Sequence, residues 1–123
     1  MASKQKVKWL PKPAEDNYVA AENYLQLLYK PKKARRWAGK LRQADMAEFI
    51  ARDILRASCI SILQVQAFDW SKQHEEINAG KQLSPILLVR QDNGRNLIIA
   101  DGFHRLCALF ANDQDIRVPC KIV

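Results

Sequence analysis

The residues with the most chemistry in close succession are Asp101, Gly102, Phe103, His104 and Arg105, in the segment LIIADGFHRLCALF. A β-prone apolar run precedes the aspartate and a helix-spaced apolar pattern follows it, so a strand should turn into a helix at the glycine. Free amides at a helix start attract anions, at about 0.3–1 kcal/mol for each exposed contact. An arginine guanidinium grips two phosphate oxygens, and a histidine donates a hydrogen bond or carries a proton. The segment therefore predicts a phosphate site at Gly102, Phe103, His104 and Arg105, with His104 also a candidate catalytic residue.

Asp101 has three roles that the sequence leaves open. A carboxylate beside a phosphate repels it unless a metal ion lies between them, so Asp101 is a candidate ligand for Mg²⁺ that accompanies a nucleoside triphosphate. It is equally a candidate catalytic base. Its side chain can instead cap the helix by accepting from the N–H of Phe103 or His104. The phosphate hypothesis also requires that the amides near Gly102 stay free and that Arg105 does not turn toward an internal acid.

The positive charge of the chain is concentrated in its first third. The net charge is +7, and residues 1–45 contain 11 Lys/Arg against 4 Asp/Glu, whereas the remaining residues contain 9 of each. Pro31 suits the first turn of a helix whose apolar positions are Ala34, Trp37, Ala38 and Leu41. The basic residues of this segment are expected to lie mostly outward and are candidate nucleic-acid contacts: Lys32, Lys33, Arg35, Arg36 and Lys40. A solvated basic helix beside an acidic protein partner explains the same charge count.

Composition places the chain among ordinary globular proteins. It has 123 residues, of which 48% are hydrophobic and 27% charged, enough for one domain with a modest core. The N-terminal residues contain no apolar signal segment and no apolar run reaches the length of a membrane span, so we expect a cytoplasmic protein with no membrane partner. Cys59, Cys107 and Cys120 are too widely spaced for a metal or redox motif and are expected to be small buried hydrophobes.

Three further segments show helical spacing. Asp16 or Asn17 can cap a helix with Tyr18, Ala21, Leu25 and Leu28 on one face. The segment ADMAEFIARDILRAS resembles a helix that begins with a capping box of Asp45 and Glu48. The segment WSKQHEEINAG predicts a short helix, capped by Ser71 or Asp69, that ends at Gly80.

The C-terminal part predicts strands. SPILLVR and RNLIIA flank Asn93-Gly94, which favours a β-hairpin, and their almost continuous apolar character indicates burial on both faces. In IRVPCKIV, Val118, Cys120 and Ile122 alternate with Arg117 and Lys121, as expected for a terminal strand. The last three elements form a β-α-β order, and a right-handed crossover places the helix start beyond the carboxyl end of its first strand. The prediction is an α+β fold with a small mixed sheet, a hairpin and a β-α-β unit, after a basic helical extension over residues 1–45.

Residues 46–123 resemble the ParB/sulfiredoxin superfamily in element order. The resemblance is carried by the pair Pro85-Ile86, a GxxR helix that starts at Gly102, and a following strand with the residues Val118-Pro119. It implies a stand-alone ParB-like domain whose residues Gly102, His104 and Arg105 bind nucleotide phosphates, with a magnesium ion in several members. Phosphotransfer or hydrolysis of a nucleoside triphosphate is then an expected activity. The resemblance also implies that MAEFIA is a strand, against its helical spacing.

The chain departs from the superfamily at identifiable positions. Phe103 stands where sulfiredoxins have a catalytic cysteine, and Cys107 lies one turn later on the apolar stripe, so sulfiredoxin chemistry is not expected. His104 stands where partition proteins carry the first of two arginines. Free-serine kinases resemble the motif more closely, with Asp53 as the nearest match to their catalytic acid, and Arg56 and Ser58 can line the same pocket. A nucleic-acid-binding module and a non-catalytic protein-interaction domain are the alternative functions.

Overall fold

The computed structural model describes residues 7–61, 63, 65, 69–90 and 96–123. A four-stranded mixed sheet has the strand order β2-β6-β4-β5 and contains Ala47–Ile50 (β2), Ile86–Val89 (β4), Ile98–Asp101 (β5) and Arg117–Ile122 (β6). A small parallel pair joins Lys8–Trp9 (β1) and Gln82–Leu83 (β3). The helices are Glu15–Leu25 (α1), Pro31–Gln43 (α2), Ala51–Ala57 (α3), Ser71–Asn78 (α4) and Phe103–Asn112 (α5). The α+β class with a small mixed sheet is therefore confirmed.

The four-stranded sheet is covered by helices on both faces. In β4, Ile86 and Leu88 belong to a core with α3, α4 and α5, whereas Leu87 and Val89 belong to a second core with α1 and α2. Successive side chains of a strand point to opposite faces, so the apolar run of β4 supplies both cores. The prediction of two-face burial is confirmed for this strand.

The hairpin pairing is confirmed, but the predicted β-α-β unit is wrong as a parallel unit. Strand β4 pairs antiparallel with β5 and parallel with β6, so β5 and β6 run in opposite directions with β4 between them. Because the hairpin reverses the chain before α5, the parallel crossover runs from β4 to β6 and contains both β5 and α5. The helix start still lies beyond the carboxyl end of β5. The Asn93-Gly94 turn lies outside the described residues.

The segment after residue 45 is a strand followed by a helix. Strand β2 pairs antiparallel with β6, with Phe49 opposite Val118, and α3 begins at Ala51. The helical reading from the capping box is therefore wrong up to Ile50, and the strand implied by the family resemblance is present. The backbone N–H and C=O groups of β2 bond to those of β6. This distant partner is not visible in the helix-like spacing of the segment.

The first helix begins earlier than its predicted cap. Helix α1 starts at Glu15, and neither Asp16 nor Asn17 caps it. The amide of Ala14 instead donates to Ser84 Oγ at 3.0 Å, which ties the helix start to the segment before β4. Pro31 is the first residue of α2, as predicted.

A buried lysine connects α2 to the sheet. Lys121 was expected on the polar side of β6, yet its residue is only 7% exposed. Its Nζ donates to the carbonyl oxygen of Arg42 at 2.9 Å and lies 5.4 Å from the centre of the Tyr18 ring. A cation at the carboxyl end of a helix satisfies an otherwise unpaired carbonyl. For this reason Lys121 is buried, although the alternation in β6 predicts that it is exposed.

The division of the chain into an N-terminal extension and a second domain near residue 45 stays a prediction. Helices α1 and α2 of the extension pack with β4 and β5 in one of the two cores.

Within the part of the chain that the structure describes, no helix combines the length and the apolar content that crossing a bilayer requires.

The three cysteines differ in environment. Cys107 and Cys120 are buried, as predicted, and burial raises the pKa of each thiol to about 11. Cys59 is exposed, so the prediction for it is wrong. It follows α3 with a φ of 56°, and its amide and that of Ile60 donate to Arg56 and Leu55, a helix-ending arrangement in which glycine is usual.

This difference predicts selective thiol chemistry. The thiolate is the reactive form, so Ellman's reagent at about pH 8 should modify one cysteine per native chain rapidly, and all three after unfolding in guanidinium. Cys59→Ser should remove the rapid reaction. Rapid modification that persists in that variant would contradict the burial of the other two thiols.

Candidate functional site

Gly102 is the hinge between β5 and α5, and its conformation excludes other residues. Its φ is 102°, in the left-handed region that favours glycine. A Cβ at this position would lie 2.5 Å from Ile86 Cδ1 and 2.9 Å from Arg105 Nη2. Glycine permits the tight turn because its backbone adopts positive φ without strain. The side chains of Ile86 and Arg105 occupy the space that a Cβ at this position would need.

Arg105 joins three segments around this hinge. Its Nε donates to the carbonyl oxygen of Ser84 at 3.0 Å, and its Nη2 donates to Asp101 Oδ2 at 3.1 Å and, at 3.4 Å, to the carbonyl oxygen of Pro85. The Arg105 side chain is 24% exposed and that of Asp101 is 15% exposed. The guanidinium therefore holds the start of β4, the end of β5 and the first turn of α5 together, and it faces an internal acid.

Asp101 does not cap α5, because that helix has no side-chain cap. Burial raises the pKa of the Asp101 carboxyl; the hydrogen bond and positive charge of Arg105 oppose this shift, and the negative charge of Asp16 adds to it. A positive shift despite an arginine partner means that loss of hydration outweighs the attraction. Ionisation of the Asp101 carboxyl is therefore unfavourable, and its Oδ2 already accepts a hydrogen bond from the Arg105 guanidinium.

A magnesium site at Asp101 stays a prediction. Among the described residues, no group of three or more His, Cys, Asp or Glu side chains is arranged to hold a metal ion. Mg²⁺ that accompanies a nucleotide is usually held by one or two carboxylates together with phosphate oxygens. In this structure Asp101 Oδ2 accepts a hydrogen bond from Arg105.

A cleft of about 680 Å³ opens beside the hinge. Its apolar and aromatic lining residues come from α1, from the segments after α1 and α3, and from β5 with the residue before it: Tyr24, Leu28, Ile60, Leu97, Ile98 and Ile99. Ser58 and the hinge residues Asp101, Gly102, Phe103 and His104 also line it. The volume lies within the range of about 300–1,000 Å³ that small-molecule sites have.

The start of α5 contributes Phe103 and His104 to the cleft lining. The first helical hydrogen bond runs from the Leu106 amide to the Gly102 carbonyl at 2.9 Å, and the N-cap residue, Gly102, has no side chain to cap the earlier amides. The exposed ring of His104 lies 5.5 Å from the Phe103 ring and 6.2 Å from the Trp70 ring, centre to centre. The amides of Phe103 and His104, together with the His104 ring, are the candidate donors of the site.

Some of the site residues predicted from the sequence line the cleft, and others lie outside it. Asp101, Gly102, Phe103 and His104 line the cleft together, and Ser58 joins them. Arg105 does not line the cleft; it lines a cavity of about 20 Å³ with residues of α4 and α5. Asp53 and Arg56 are not among the lining residues and form an exposed ion pair at 3.5 Å. The phosphate site predicted from the sequence requires that Arg105 does not turn toward an internal acid. Arg105 does turn toward Asp101, so that requirement is not met and the guanidinium is not directed at a ligand in the cleft.

Sequence reasoning missed the apolar side of the cleft. Leu28 was assigned to the buried face of the first helix, but α1 ends at Leu25 and Leu28 is 49% exposed. Tyr24 was not singled out, and 43% of it is exposed. The signal was the succession Leu25, Leu27, Leu28 and Tyr29, which has more apolar positions than one buried face of a helix needs.

The basic residues of α2 form a separate surface. Lys33 Nζ and Lys40 Nζ each lie 4.7 Å from the centre of an aromatic ring, of Tyr29 and Trp37 respectively. Lys32, Arg35 and Arg36 are exposed. None of the five lines the cleft.

No family model, curated protein or solved structure matches this chain significantly.

The raised pKa of Asp101 predicts a pH-dependent contribution to stability. As the pH rises above the ordinary value of 3.8, the unfolded chain loses the Asp101 proton before the native protein does, so stability falls with pH across this window. The stability of wild type minus that of Asp101→Asn should therefore decrease between about pH 3.5 and pH 7, as measured by urea unfolding. Hydrogen bonds from Ser71 lower the pKa of Asp69, so the same difference for Asp69→Asn should increase with pH, and this change should occur mainly at and below the ordinary value of 3.8. A difference for Asp101 that increases with pH would show that Arg105 overcomes the burial cost.

Two glycines predict opposite effects of a methyl group. Gly102→Ala should lower the free energy of unfolding by about 1–2 kcal/mol, because alanine is strained in the left-handed conformation and the ends of the Ile86 and Arg105 side chains must shift. Gly39→Ala should raise it by about 0.5–1 kcal/mol, because Gly39 lies inside α2 and a Cβ there meets no described atom within 4 Å. Chemical denaturation measures both. A Gly102→Ala protein as stable as wild type would contradict the hinge geometry.

Proposed function

We propose that this chain is a stand-alone ParB-like domain and that the cleft binds a nucleotide, with a phosphate group at the start of α5. The observation that supports this most is the position of Phe103 and His104. These two residues begin α5, whose N-cap Gly102 has no side chain to cap the first amides, and they line the same cleft as six apolar or aromatic residues. Helix-start amides favour phosphate oxygens, and an apolar side containing Tyr24 favours the flat face of a base. The strand at Ala47–Ile50 and the glycine-started helix after β5 agree with the ParB/sulfiredoxin element order.

This proposal differs from the phosphate site predicted from the sequence, because Arg105 faces Asp101 and positions the binding groups instead of contacting phosphate. The contacts of Arg105 with Ser84, Pro85 and Asp101 fix the hinge, and the hinge fixes the amides of Phe103 and His104. Phosphate is then bound by these amides and by the His104 ring. No lysine or arginine is among the described residues that line the cleft, so we expect modest affinity and a preference for ligands with few negative charges.

The proposal is for binding without phosphotransfer. Among the described lining residues, Asp101 is the only carboxylate, and a catalytic base must accept a proton from a substrate group. The Arg105 guanidinium occupies Asp101 Oδ2. His104 also lines the cleft, and in this proposal its ring donates to a phosphate oxygen.

Thermal unfolding with AMP, ADP, ATP, CTP or GTP, each with and without Mg²⁺, tests the proposal. A ligand that binds only the native state raises the unfolding temperature, by the equivalent of about 2.7 kcal/mol at 100 times its Kd. At least one nucleotide should stabilise wild type, and His104→Gln should remove most of the shift. The matched control is His74→Gln, because His74 is the other histidine of the chain and its Nε2 is bonded to the Ala108 carbonyl outside the cleft. Absence of a shift with every nucleotide, or equal loss in both variants, would contradict the proposal.

A further inference from the structure

One exposed face of α2 carries cations that the fold does not use. Lys32, Arg35, Arg36 and Gly39 follow the spacing i, i+3, i+4, i+7 and lie opposite the buried residues Ala34, Ala38 and Leu41. We call these four residues the basic face. Within the described chain, its three cations have no ion pair with an acidic side chain.

The charges of the basic face are unfavourable for the helix itself. Lys32 lies three residues from Arg35 and four from Arg36, and like charges at these spacings repel. Lys32 also lies in the first turn, which contains no acidic residue, where the helix dipole disfavours positive charge. No contact of the described residues offsets the repulsion between these cations or the unfavourable position of Lys32 in the helix dipole. An anion from another molecule would reduce both costs.

Gly39 gives a second and independent indication. A glycine inside a helix is unfavourable because of its conformational freedom, and here its φ is not left-handed. A Cβ at Gly39 would meet no heavy atom of the described residues within 4 Å, so packing inside the molecule does not require a glycine. A residue without a side chain in the middle of a basic face lets another molecule approach the helix backbone closely.

We propose that the basic face binds the phosphate backbone of a nucleic-acid duplex without reading its sequence. Duplex DNA carries one negative charge per about 1.7 Å, dense enough to face three cations placed within two helical turns. Two of the cations are arginines, whose planar groups match phosphate oxygens. Lys33 and Lys40 flank this face and lie over the rings of Tyr29 and Trp37, which leaves Lys32, Arg35 and Arg36 as the principal contacts. This function is separate from the nucleotide cleft.

Fluorescence anisotropy with a labelled 20-base-pair duplex of arbitrary sequence, between 50 and 300 mM salt, tests this assignment. We expect micromolar binding at the lowest salt that weakens steeply as salt rises. The double variant Arg35→Gln with Arg36→Gln should bind at least tenfold more weakly and reduce the magnitude of the log–log salt slope by about 2. The control, Lys12→Gln with Lys72→Gln, removes two exposed cations outside α2 and should keep the wild-type slope.

Gly39 separates this assignment from a general effect of net charge. Gly39→Leu leaves every charge in place and should unfold at a higher temperature, yet bind the duplex at least fivefold more weakly. No duplex binding at 50 mM salt would overturn the proposal, as would equal losses in the two double variants. Wild-type affinity in Gly39→Leu would overturn it too, because close approach to the helix backbone would then be unnecessary. If the basic face binds an acidic protein instead, no duplex binding should be seen at 50 mM salt.

Discussion

The contact on which the candidate site depends is the one between Gly102 and Arg105. The guanidinium can reach Ser84, Pro85 and Asp101 because Gly102 has no Cβ to obstruct it. In turn, the left-handed conformation of Gly102 directs the chain from β5 into α5. Glycine and arginine at this spacing are therefore one structural unit. They fix the direction of the helix start and leave its first amides uncapped, which is the condition for anion binding that the geometry meets.

Burial of the sheet on both faces is the second constraint, and it decides which residues surround the cleft. Strand β4 is apolar throughout, so its two faces need two layers of helices. Helices α3, α4 and α5 cover one face, and α1 and α2 cover the other. Because α1 lies beside β5, Tyr24 near the end of this helix and Leu28 just after it line the cleft. The candidate site thus combines residues from the basic N-terminal segment with residues from the C-terminal strands.

Features that depend on local sequence could be predicted, and features that depend on distant partners could not. The apolar run of β4, the glycine hinge and the helix end at Gly80 each follow from residues next to one another. Strand β2 was obscured because its residues Glu48 and Phe49 are both exposed, so the period-two alternation of a half-buried strand is missing. Lys121 is buried because it donates to a carbonyl 79 residues earlier in the chain. Arg105 faces inward because carbonyls 20 and 21 residues away accept its hydrogen bonds, and no local pattern contains that information.

The central claim is that the amides of Phe103 and His104 bind a phosphate group, and ¹H–¹⁵N spectra of the labelled protein test it most directly. On titration with AMP, the amide protons of these two residues should shift downfield in proportion to saturation, because each donates to a charged oxygen. Adenosine, which lacks phosphate, should leave them unchanged while perturbing apolar or aromatic lining residues such as Tyr24. If AMP leaves the amide resonances of Phe103 and His104 unmoved at concentrations that perturb other residues, the start of α5 does not bind phosphate and the account is wrong.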